Sequence, residues 1–323
     1  MDVGEREQDT ILDHLMSLRD PSFRKAIGGR ARKYIKEKHS FDIVSKRLLN
    51  LITNIQFEES RMDKSTITFN FNVPSVGNFV LEGDRHDRSV VQPIINDGSY
   101  EDDLINYLKN TLKEGDVFLD LGGNIGVISV VASRLVGSSG RVIAVEAGKT
   151  NFSHLKNNMQ RVGLDNHTLF NCGVWDCETT MKFSYVPEVA ACSFFSTTGV
   201  QEGRVEEVRC TTVDNLAAEL NLERLDLVKM DIEGAEFKAL CGMEETIARF
   251  RPYIVFELNI GTLKRFFNTD PKEIWDFFEK RRYSLFSLGD GGAERIESLD
   301  DFLPSKEGQK AWTEILARPS GKK

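Results

Sequence analysis

Five acidic side chains fall where apolar runs give way to turns: Asp120, Glu146, Asp231, Glu233 and Glu257. Acids placed this way can accept hydrogen bonds from hydroxyls, hold a cationic group, or take a proton from a weak nucleophile. The best defined of them lies in Val117-Phe118-Leu119-Asp120-Leu121-Gly122-Gly123-Asn124-Ile125-Gly126, which runs at once into Val127-Ile128-Ser129-Val130-Val131-Ala132. That pattern is strand, glycine turn, helix. Glycines let such a turn close and let backbone N–H groups approach a ligand. The spacing D-x-G-x-x-x-G, from Asp120 through Gly122 to Gly126, differs from the G-x-G-x-x-G of dinucleotide binders. An acid at the strand end repels a pyrophosphate. It suits a ligand with an ammonium group or ribose hydroxyls and no phosphate, and S-adenosylmethionine (SAM) has that chemistry. A βα turn without a ligand is the plain alternative. Glu146 lies 20 residues beyond Gly126, at the tip of a second strand. That spacing suits an acid that accepts both ribose hydroxyl protons; the alternative is a chance surface acid outside the core.

Asp231 and Glu233 stand two residues apart, where Leu225-Asp226-Leu227-Val228-Lys229-Met230 turns into a helix. Like-charge repulsion should raise at least one of their pKa values, and Lys229 should oppose it. Lys229 also reads as a buried lysine held by an ion pair with Asp120 or Glu257. Glu236, one helical step on, reads as a structural cap or pair. His86, in the polar loop Asp84-Arg85-His86-Asp87, reads as solvated, with a substrate-contacting base as the alternative.

The elements that must position these groups alternate. Strands are expected over 66–73, 79–82, 117–121, 141–146, 168–174, 225–231, 253–258, 282–288 and near 312–316, and helices over 102–113, 150–162, from 232–236 to about Phe250, and 271–281. Residues 179–186 and 205–213 read as an inserted hairpin or edge, and 66–95 as a small β subdomain. Glu101 is expected in the first turn of the 102–113 helix, stabilised by the helix dipole. Regular alternation implies a doubly wound α/β sheet, whose ligand lies beyond the carboxyl ends of its strands.

Composition sets the wider limits. The chain has 323 residues, 40% hydrophobic and 28% charged, with a net charge of −8, so a globular protein with no nucleic-acid partner is expected. No run is long enough to span a membrane and no signal peptide is legible, so a cytoplasmic location is expected. The five cysteines form no CxxC pair, which leaves no structural metal in the reading.

Glu101, the Asp120–Gly126 motif, Glu146, Thr211-Thr212-Val213-Asp214 and Val228-Lys229-Met230-Asp231-Ile232-Glu233-Gly234-Ala235-Glu236 together resemble the FkbM-type SAM-dependent methyltransferases, over about 96–318. The resemblance implies a class I methyltransferase (Rossmann-like) fold with a seven-stranded sheet, bound SAM with S-adenosylhomocysteine as product, and O-methylation of sugars or natural products. Ala147 and Gly148 depart from the pattern, since a proline commonly follows the ribose-binding acid. The cofactor residues are then Glu101, Asp120, Gly122, Gly123, Asn124, Gly126, Glu146, Ala147, Gly173 and Val174. A hydroxyl acceptor needs a base, with Asp231 the first choice and Glu233 the second, and Lys229 beside them. The acceptor is read as a glycan or glycosylated metabolite. A non-sugar natural product, or a non-catalytic scaffold in a polysaccharide assembly complex, is the alternative.

The first 56 residues read as helical, with nine Lys or Arg against three acids between Asp20 and Leu48. The segment Leu18–Lys25, with Gly28–Arg32 and His39–Phe41, resembles the C-terminal tail of retaining GT-B-fold glycosyltransferases. It implies fusion to, or descent from, such an enzyme. The domain reading is 1–60 helical segment, 61–95 β subdomain and 96–323 methyltransferase domain.

Overall fold

The computed structural model describes residues 65–185, 194–195, 204–289, 292–303 and 312–321, all within the larger of two units, Asn54–Lys323. The helical reading of 1–56, most of the linker at 57–66 and the glycosyltransferase-like stretch lie outside the described residues.

Strands β1 (Thr66–Val73) and β2 (Gly77–Asp84) form an antiparallel hairpin. Alternation buries Phe69, Phe71 and Val73 on one face. The apolar run grouped with this hairpin in the sequence reading is a helix, α1 (Val91–Asp97). Val91, Ile94 and Ile95 share its buried face, and Gly98 ends it in the left-handed conformation. Helix α2 (Asp102–Thr111) carries Asp102 and Asp103 in its first turn. Glu101 is its N-cap, left-handed at φ 43° and without a side-chain cap bond, so the expected dipole role passes to the two aspartates.

Strand and helix then alternate through β3 (Val117–Leu121), α3 (Val127–Val136), β4 (Arg141–Val145), α4 (Lys149–Val162) and β5 (His167–Phe170). A side sheet follows: β6 (Gly173–Val174), β7 (Thr179–Tyr185), β8 (Phe194–Phe195) and β9 (Arg204–Thr211), in the order β6-β9-β7-β8. Helix α5 (Val213–Glu219) starts where Thr212 accepts the Asn215 N–H. It leads to β10 (Leu227–Met230). The helix expected up to Phe250 is two, α6 (Glu236–Cys241) and α7 (Glu244–Phe250). Strand β11 (Tyr253–Asn259), a helical turn (Ile260–Thr262) running into a π-helix (Leu263–Phe267), helix α8 (Pro271–Lys280), strands β12 (Tyr283–Gly289) and β13 (Gly292–Arg295), helix α9 (Leu299–Phe302) and strand β14 (Trp312–Pro319) complete the described chain.

The central sheet runs β13-β12-β14-β11-β10-β3-β4-β5. Strands β5, β4, β3, β10 and β11 are parallel, and β14 enters antiparallel between β11 and β12. Those seven match the expected sheet, and β13 adds an eighth as a hairpin on β12. Phe118, Val142, Leu227 and Val255 face one core, with α2, α3, α4 and the β1–β2 hairpin. Leu119, Leu121, Val228 and Met230 face the other, with α5 to α8. Burial on both faces is why these strands read as nearly unbroken apolar runs.

A polar cluster stitches the hairpin to α4. Glu82 Oε1 accepts from Asn157 at 2.6 Å and lies 3.2 Å from His154 Nδ1, while Oε2 accepts from Arg161 at 2.6 Å. The Asn158 amide bonds both main-chain groups of Glu82 and the Ile125 carbonyl. It therefore ties the hairpin to the glycine turn after β3.

Candidate active site

The β3–α3 turn is built by contact with its neighbours. Gly122 has φ +80°, and a Cβ there would sit 1.8 Å from the Asp231 carbonyl oxygen. At Gly126, φ is +91° and a Cβ would meet Leu155 Cδ1 at 2.7 Å. Side chains at either position would push β10 or α4 away. Contrary to the sequence reading, the turn's N–H groups are not free for a ligand. Those of Gly122 and Gly123 donate to the Val145 carbonyl at 3.0 and 2.9 Å, and that of Asn124 donates to Glu146 Oε2 at 2.9 Å.

A charged pair sits behind this turn in the middle of the sheet. Register sets Lys229 beside Asp120 across β10 and β3. Lys229 Nζ donates to the Gly122 carbonyl at 3.1 Å and lies 3.6 Å from both Asp120 Oδ1 and Asp231 Oδ2. Asp120 is fully buried, with Oδ2 accepting from Ser129 Oγ at 2.5 Å and Oδ1 without a hydrogen-bond partner. Burial disfavours the Lys229 ammonium, yet the charges of Asp231, Asp120 and Glu101 outweigh it and hold its pKa above the ordinary lysine range. The expected ion pair with Asp120 is present.

Two cavities meet at β10. The first is a cleft whose walls include Gly122, Gly123, Asn124, Glu146, Ala147, Gly173 and Val174. Asp120 and Gly126 lie behind its surface. Asn151 and Phe183 also line it, and neither stood out in the sequence. The second, larger cavity includes Glu101, Glu257 and Glu314. Tyr100, Lys229, Asp231 and Glu233 line both. Glu101 thus stands on the wall of the second cavity rather than the first. Glu314 passed unremarked within the expected last strand; an acid inside that apolar run was the available signal. His86 is exposed and lines neither cavity.

Glu146 is buried, not a surface tip. Oε1 accepts from the Gly148 N–H at 2.7 Å and Oε2 from Asn124. Burial pushes its pKa up to about 7 against those bonds. Glu236 is also buried and accepts the Ile232 N–H at 3.0 Å, which is a structural tie. Glu233 has a left-handed backbone, φ 56°. Burial, then the charge of Asp231, raises its pKa well above the carboxylate range. Burial likewise pushes Glu101 to about 7, Glu257 to about 9 and Glu314 to about 8, with Asp231 adding to each.

These raised values set a pH dependence. Between the unfolded pKa near 4.5 and the folded values of about 9 and 8, the unfolded chain has lost protons that the folded chain keeps. Stability of the ligand-free protein should therefore fall as pH rises from about 5 to 9. Glu257→Gln and Glu314→Gln should raise Tm at pH 8 and flatten that slope in thermal melts. An unchanged slope in both variants would show that neither carboxyl carries the effect.

The family description "Methyltransferase FkbM domain" matches residues 120–285. Over 206 residues the chain is 28% identical to the AMB antimetabolite synthetase AmbE of Pseudomonas aeruginosa, a match covering 53% of this chain and 9% of that protein. Over 184 residues it is 24% identical to the hexuronic acid methyltransferase AglP of Haloferax volcanii, covering 57% of this chain and 70% of that one. A crystal structure of Methyltransferase FkbM from Methylobacillus flagellatus superposes with a TM-score of 0.41 at 16% identity, covering 66% of this chain and 50% of the other.

Proposed function

The chain belongs to the FkbM family of methyltransferases, and on that footing we propose that it methylates a hydroxyl of a sugar or glycosylated metabolite with SAM as donor. The observation that carries the reading is the shared wall of the two cavities. Asp231, Glu233 and Lys229 stand where a donor in the cleft and an acceptor in the larger cavity would meet. The cleft fits SAM by its donor set. Its turn has no free N–H groups for a phosphate, while Glu146 and Asn151 line it and can meet the ribose hydroxyls of a phosphate-free nucleoside. Gly122, Gly123, Asn124, Ala147, Gly173 and Val174 would hold the rest, with Asp120 supporting the turn from behind through Lys229. SAM, when bound, supplies an electrophilic methyl group on a sulfonium sulfur.

The chain's own residues do the remaining work. Val127, Ile128, Val145 and Phe183 give the cleft an apolar wall that excludes water. Asp231 takes the acceptor hydroxyl proton as that oxygen turns nucleophilic. Lys229 balances the charge of Asp231 while it waits. Glu233, whose pKa burial and the Asp231 charge raise, orients the acceptor by hydrogen bonding. The name of AglP supports a sugar, and that of AmbE supports the second reading, a non-sugar natural product. The N-terminal segment we assign to an associated or fused glycosyltransferase function.

Thermal melting tests the donor. SAM should raise Tm and NAD should not, because a ligand that binds only the folded state stabilises it. Glu146→Ala should weaken SAM binding by about 1.5–3 kcal/mol, the range for hydrogen bonds to a charged group. It also leaves the Asn124 and Gly148 N–H groups unpaired, so the ligand-free Tm is measured alongside. No shift at saturating SAM would sink the assignment.

A further inference from the structure

The larger cavity is lined by more carboxyl groups than methyl transfer alone requires. Strands β11 and β14 run antiparallel with Glu257 directly opposite Glu314. In that relation both cannot ionise without repelling each other across the sheet. Both line the cavity, with Glu101, Asp231 and Glu233; Asp300 and Asp301 line it too. Lys229 is the single cation among its described lining residues, and it is already shared between Asp120 and Asp231. Glu101 supplies an independent sign. Its Oε2 is buried and has no hydrogen-bond partner, a costly arrangement that a donating ligand relieves.

We propose that Glu257, Glu314 and Glu101 are specificity-determining residues, and that they select an acceptor bearing a protonated amine near the hydroxyl to be methylated, an amino sugar being the simplest case. This rests on the methyl-transfer reading and adds the charge class of the acceptor. An ammonium brings three donors and one positive charge. It satisfies Glu101 and offsets the repulsion that ionising Glu257 and Glu314 would bring. A neutral sugar brings no charge to favour their ionised forms, and a hexuronic acid brings a negative one that opposes ionisation of every carboxyl on that wall. With both glutamyl groups titrating above neutrality in the empty cavity, a bound cation favours their ionised forms, so binding releases protons.

Calorimetric titration of the full chain with methyl glucosaminide, methyl glucoside and methyl glucuronide tests this, run with and without S-adenosylhomocysteine. The glucosaminide should bind roughly tenfold more tightly than the glucoside, with the glucuronide weakest, as charge complementarity requires. Only the glucosaminide should release protons, read as a difference in heat between phosphate and Tris buffers. The double variant Glu257→Gln/Glu314→Gln should lose both the preference and the proton release while still melting cooperatively. Equal or reversed ranking overturns the inference, as does failure of the glucosaminide to bind or unchanged behaviour of the variant. SAM-induced stabilisation is measured on the same samples. If SAM stabilises and the ranking fails, only the acceptor class is lost; if SAM does not stabilise, the methyl-donor reading is lost.

Discussion

Asp231→Asn should lower turnover about 10²–10⁴-fold, the range for losing a positioned general base. The amide keeps the shape and a hydrogen bond to the acceptor but cannot take its proton. Asp231 is suited to the role because it faces both cavities and its side chain keeps 30% of its exposure. Glu233 is less suited, because burial and then the Asp231 charge raise its pKa well above the ordinary carboxylate range. Glu233→Gln should accordingly be milder, since a protonated carboxyl and an amide both donate. SAM affinity should barely move in either variant. Single-turnover rates with the true acceptor and SAM titrations separate the two effects. The reverse ranking would transfer the base role to Glu233, and wild-type turnover in both would remove the proton-transfer role from this junction.

Lys229→Met should cost about 3–5 kcal/mol of stability, the range for removing one partner of a buried ion pair. Lys229 is 5% exposed and Asp120 fully buried. Without the ammonium, Asp120 keeps only its Ser129 bond, and the Gly122 carbonyl loses its 3.1 Å donor. The glycine turn should loosen with it. Adding Asp120→Asn should recover much of the loss, because the uncompensated buried charge is then gone. Denaturant unfolding of the two singles and the double measures this coupling. Additive effects would mean that Lys229 serves Asp231 alone.

The strand expected at 66–73 forms with those bounds, and the 117–121 strand likewise. Both are written locally, one by alternation and one by an apolar run ending in a glycine turn. Other features were not local. The run after the hairpin could be strand or helix, and its packing on the core decided for helix α1. The split between α6 and α7 and the extra strand β13 depend on neighbours distant in the chain.

The sequence by itself determined the alternation of strand and helix, the glycine turn after Asp120 and the clustering of acids at strand ends. Each follows from residue type and short-range spacing. Tertiary structure alone decided what those groups face. Parallel register set Lys229 beside Asp120, and the turn's N–H groups went to Val145 and Glu146 rather than to a ligand. Antiparallel entry of β14 set Glu314 across from Glu257, 57 positions away in the chain. The sign and strength of an electrostatic site depend on distances and burial, and those exist only once strands remote in sequence lie side by side.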